Sequence, residues 1–118
     1  MTLSDVYQCI EENNTQQILP IITYITTNFP SATFDEYNSE KSHIPTWRIH
    51  DRYIGIGCRK HYISLYFSNR AAVTAVAQNT PYCRAQKGCV NFSYKRELPL
   101  DAIFRGIDTC LTPCIFTD

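Results

Sequence analysis

Between residues 18 and 29 the chain repeats its apolar positions at spacings of three and four. Ile18, Ile21, Ile22, Ile25 and Phe29 therefore fall along one side of a helix. Pro20 fits such a helix only near its first turn, where its missing N–H is not needed, and Pro30 ends it. Upstream, Ser4 reads as an N-cap and Asp5 as a first-turn carboxylate ahead of Val6, Cys9 and Ile10, which predicts a short helix over 4–12. From Thr46 the period drops to two. The runs "TWRI", "YIGIGC" and "YISLYF", joined by the turn-like "HDR" and "RKH", predict an antiparallel meander. The polar stretch before them, "SATFDEYNSEKSHIPT", reads as a connection holding one irregular edge strand around Thr33 to Tyr37. Gly55 and Gly57 share one side of their strand, which reads as a place where a helix approaches closely.

A third helix is predicted over 69–79, capped by Asn69, with Ala72, Val73, Val76 and Ala77 as a small-residue stripe and Pro81 closing it. "KGCVNFSY" supplies one more strand, with Cys89, Asn91 and Ser93 on one face and Val90, Phe92 and Tyr94 on the other. Pro99 then opens a last helix, whose apolar side is Leu100, Ile103, Phe104, Ile107 and Leu111. The fold class that follows is α+β: an antiparallel sheet, a meander plus one further strand, packed against about four helices. One domain, 1–118, is expected, with Ile18, Ile22, Ile25, Ile54, Ile56, Ile63, Leu65, Val76, Phe92, Ile103 and Ile107 in its core.

Composition supports a real core, at 44% hydrophobic and 13% aromatic residues with four Gly and six Pro. The N-terminus has neither a basic nor an apolar leader region, and no run reaches the ~20 apolar residues that cross a bilayer, so a cytoplasmic location away from membranes is expected. In that compartment the six cysteines read as free thiols. None of them forms a CxxC pair, and Pro113 breaks the helical register between Cys110 and Cys114.

Net charge is zero but unevenly spread. Residues 1–40 carry six carboxylates and no Lys or Arg, whereas 41–118 carry eleven Lys or Arg against five carboxylates. Lys87, Lys95, Arg96, Arg59 and Lys60, with Tyr62, Tyr66 and Tyr94, are the cations and aromatics available to a nucleic acid or phosphorylated partner. A pI near 6.8 argues against nucleic acid.

The order helix, helix, meander, helix, strand, helix resembles the YdhG-like domain, a bacterial family of unknown function whose members include a protein described as a frataxin-like intracellular iron chaperone. The resemblance rests on "HIPTW" at 43–47, "RKHYISLYF" at 59–67 and "QKGCVNFSYKRELPLDAI" at 86–103. It implies an α+β carrier for iron, handed on to a protein acceptor, and transfers no catalytic residues. Carriers of that type hold a hard cation on exposed carboxylates. Asp5, Glu11 and Glu12, on the first predicted helix and free of nearby Lys or Arg, are the candidate metal ligands.

No GxSxG, HExxH, P-loop or dinucleotide fingerprint is present, and "GIG" lies inside a strand without a third Gly, so the reading is non-enzymatic. His43, His50 and His61 are scattered and read as surface histidines. The competing expectations are a protein-interaction module using the sheet face, and a small-ligand or phosphate-binding domain with a pocket near Trp47 and Lys87, although Trp47 and the tyrosines read first as core and sheet-surface packing.

Overall fold

The computed structural model describes residues 16–38, 43–59, 61–78, 80 and 83–112. One 3-10 turn, Gln16–Ile18, leads into α1 (Leu19–Asn28). The strands β1 (Thr33–Asn38), β2 (His43–Ile49), β3 (Arg52–Cys58) and β4 (Tyr62–Phe67) follow as consecutive antiparallel neighbours. Then come α2 (Arg70–Gln78), β5 (Arg84–Ala85), β6 (Cys89–Ser93) and α3 (Leu100–Leu111). The sheet has six strands in the order β1-β2-β3-β4-β6-β5, so the chain crosses by way of α2 and returns to lay β6 against β4.

Alternation along the central strands separates a packed side from an open side. Ile54, Ile56, Ile63 and Leu65 have no exposed surface, and Phe92 and Val90 continue the same face on β6. The helices cover this face. Ile21, Ile22 and Ile25 come from α1, Val73 and Val76 from α2, and Ile103, Ile107 and Leu111 from α3. Every residue expected in the core is buried. Local signals set the helix ends: Pro20 stands in the first turn of α1, and the Asn69 side chain accepts a hydrogen bond from the Ala72 N–H at 2.8 Å to cap α2.

Several expectations change. The helix expected over 4–12 lies outside the described residues, and among those described there are three α-helices and the 3-10 turn. The edge strand around Thr33 is regular, pairing from Thr33 with Arg48 to Asn38 with His43. Strand β2 begins at His43, earlier than the alternation at Thr46 suggests, and runs through Pro45. Pro45 stands opposite Glu36 of β1 and precedes the ladder to β3, which starts at Thr46, so its missing N–H falls where β2 is bordered by one strand. Strand β5 has only two residues, too few for a period to show.

Gly55 and Gly57 do not admit a helix. Ile54 and Ile56 face the helices, so the glycines face the open side, where a Cβ at Gly55 would stand 2.9 Å from Ile44 Cγ2. The glycine that lets elements approach closely is Gly106 of α3, whose missing Cβ would collide with Val76 Cγ2 of α2.

Helices α1 and α3 are also clasped at the surface. Tyr24 stacks on Phe104 with centroids 4.1 Å apart, and its hydroxyl donates to Asp108 Oδ1 at 2.7 Å and Oδ2 at 2.8 Å. Burial first, then the Asp108 hydrogen bond and charge, push the Tyr24 phenol from 10.0 up to about 12. A folded-state value above the unfolded one stabilises the protein fully below pH 10 and loses that contribution as the pH rises to about 12. The stability difference between the parent and Tyr24→Phe, followed by denaturant melts, should therefore shrink through this window. A difference that stays flat from neutral pH to pH 12 would refute the clasp.

Candidate functional site

The open face of the sheet carries the candidate site. Its floor is a row of directly opposed residues, Thr46, Gly55, Tyr66 and Cys89, drawn from β2, β3, β4 and β6. Three of the four are small, which leaves a concavity of about 580 Å³ above them. Ile44 and Tyr66 form apolar walls, Arg48 and Tyr53 close one end, and the turn Gln86, Lys87, Gly88 makes the rim on the β6 side. No Asp or Glu is among the described residues lining it.

Each wall is fixed by a specific contact. The Arg48 guanidinium carbon lies 5.2 Å from the centroid of the Tyr53 ring, within cation–π range. The backbone of Tyr53 is itself held from below: its N–H donates to Ser68 Oγ at 3.0 Å, and its carbonyl accepts from Cys110 Sγ at 3.0 Å and from the Ser68 N–H at 3.1 Å. Ser68 Oγ and Cys110 Sγ are 3.2 Å apart. With the thiol hydrogen on the Tyr53 carbonyl, the serine hydroxyl donates to sulfur, and the contacts close into a ring. The rim turn is tied by Gln86 N–H to the Cys89 carbonyl at 2.8 Å and Phe67 N–H to the Gly88 carbonyl at 3.0 Å.

On the floor, Thr46 turns its hydroxyl onto the Ile44 carbonyl at 2.8 Å. Burial pushes the Cys89 thiol up, and the Arg59 charge pulls it part of the way back, so Cys89 is a neutral thiol at neutral pH. At the end away from Arg48, Arg59 Nη2 donates to the Tyr66 hydroxyl at 2.7 Å.

Of the residues expected at a site, Lys87 lies on the groove rim. Trp47 does not join it: it is 2% exposed on the helix-covered face, edge-on to Phe34 at 5.2 Å, because its neighbours Thr46 and Arg48 are the ones that face the groove. Trp47 is core, and the pocket expected near Trp47 and Lys87 lies on one side of the sheet while Trp47 lies on the other. Asp5, Glu11 and Glu12 lie outside the described residues. Among the described residues no group of three or more His, Cys, Asp or Glu comes together, and no helix is long and apolar enough to cross a membrane.

Of the cations and aromatics considered for a charged partner, Lys87 and Tyr66 line the groove, Arg59 contacts the Tyr66 hydroxyl, Tyr62 is 40% exposed, and Tyr94 packs against the core. Arg48, Tyr53 and Gly55 were not anticipated. Counting by two from a buried Trp47 would have placed Arg48 on the open face. A second concavity of about 630 Å³, between α1 and α3, is lined by Leu19, Pro20, Thr23, Tyr24, Thr27, Asn28 and Phe104 and has no charged side chain. Comparison with protein-family models, with curated proteins and with solved structures finds no match to this chain.

Proposed function

We propose that the chain is a non-enzymatic binding domain whose open sheet face takes a small organic anion with an apolar body. The observation that carries this reading is the groove's lining: apolar and aromatic walls, the cations Arg48 and Lys87 at one end, and no carboxylate among the described residues that line it. Its volume of about 580 Å³ suits a ligand of small-molecule size. A flat apolar body resting over the floor row and against Ile44 would be removed from water, and the cations would select a negative group at the Arg48 and Lys87 end.

Fluorescence titration with anilinonaphthalene sulfonate, an aromatic anion, tests the reading. The folded parent should bind it saturably at one site, and binding should weaken as salt is raised. Lys87→Glu reverses a charge on the exposed rim turn, outside any regular element, and should weaken binding about tenfold with the melting temperature unchanged. Absence of saturable binding, or equal affinity in the parent and Lys87→Glu, refutes it.

A further inference from the structure

Beyond the residues that line the groove, on the Tyr66 side, lies a second polar group. Tyr66 starts from the floor row but leans along the sheet over Gly57, where a Cβ would stand 3.1 Å from Tyr66 Cε2 and 3.3 Å from Arg59 Nη2. The bare backbone at Gly57 thus lets a phenol and a guanidinium share one spot. Arg59 is held there from the chain side as well, since its N–H donates to the Tyr62 carbonyl at 2.9 Å. Because Arg59 Nη2 is the donor in its contact with Tyr66, the phenol oxygen accepts and its own O–H hydrogen remains to be given. A phenol that accepts from a cation becomes a stronger donor.

Gly57 lies four residues from Tyr53 on β3, so the Tyr66 hydroxyl sits about 13 Å along the strand from the end closed by Arg48 and Tyr53.

We infer that Tyr66 and Arg59 form a second anchor, which recognises an anionic oxygen at the far end of the ligand, and that the ligand class is an elongated, flat organic molecule with an acid at each end. The inference rests on the groove being the binding site. Arg48 and Lys87 take one acid. The Tyr66 hydroxyl donates to the other, with the Arg59 charge behind it. The flat body lies between them over the floor row. Tyr66 is the contacting residue at this end, and Arg59 positions and polarises it.

Calorimetric titration with two probes separates this inference from the reading beneath it: biphenyl with one sulfonate, and biphenyl with a sulfonate at each distal carbon. Sulfonates stay ionised across the working range, so the probes differ only in the second charge. The parent should bind the disulfonate about tenfold more tightly, the worth of one hydrogen bond assisted by charge. Tyr66→Phe, which keeps the ring and loses the hydroxyl, should erase that margin. Arg59→Met should do the same, and either variant with the parent's melting temperature suffices. A parent that binds both probes equally, or a margin that survives in a folded variant, overturns the second anchor while leaving the groove intact. Failure of both probes to bind the parent overturns the groove reading and this inference together.

Discussion

Gly106→Val is expected to destabilise the protein by about 3 kcal/mol, the upper range for overpacking a closed core. A Cβ at this position would overlap Val76 Cγ2 and stand 3.3 Å from the Ala72 carbonyl oxygen and 3.4 Å from Phe67 Cζ. Val76 belongs to α2, the Ala72 carbonyl is backbone and Phe67 is part of the sheet, so relief requires moving a whole element. Gly106→Ala separates this from helix propensity. Propensity alone predicts a gain of about 1 kcal/mol for alanine over glycine inside a helix. Contact with Val76 predicts a net loss, recovered in part by adding Val76→Ala. Denaturant melts of the two single variants and the double variant give the coupling directly. If Gly106→Ala is more stable than the parent, the close approach of α2 and α3 at this point is wrong.

Phe92→Ala should cost about 4 kcal/mol, in the range for truncating a large buried aromatic. Phe92 is 1% exposed on β6, pairs with Ile63 across the ladder and lies within the core beneath the helices. Its loss leaves a cavity bounded by strands that cannot collapse without breaking their own hydrogen bonds. With native stability of single domains near 5–15 kcal/mol, a loss of this size brings the variant close to unfolding at physiological temperature. A Phe92→Ala protein that melts with the parent would show that β6 does not occupy the position next to β4.

The core was legible because each of its contributors announces itself locally. Ile54 and Ile56, or Ile63 and Leu65, need only their own strand to declare a face, and Ile103 with Ile107 needs only its own helix. The groove is of a different kind. Thr46, Gly55, Tyr66 and Cys89 meet because of register across four strands, one of which arrives only after the crossover through α2. No spacing in the sequence encodes that row. Lys87 and Tyr66 could be named as a cation and an aromatic, but their convergence depends on β6 pairing with β4. Trp47 reads from the sequence both as packing and as a ligand platform, and its pairing opposite Phe34 makes it part of the packed layer. Gly55 and Gly57 were correctly placed on one face, but which face meets the helices is set by Ile54 and Ile56 between them.

The closed ring from Tyr53 through Ser68 to Cys110 ties a residue of the groove to the core helix α3. Both backbone groups of Tyr53 are committed to Ser68 and Cys110, so its ring stands on a base that cannot tilt without opening several hydrogen bonds at once. The Arg48 guanidinium beside that ring therefore has a stationary surface to rest against. In thermodynamic terms the Tyr53 backbone has already lost its conformational freedom during folding, so a ligand arriving there has less left to immobilise, and more of the attraction it feels is carried into affinity.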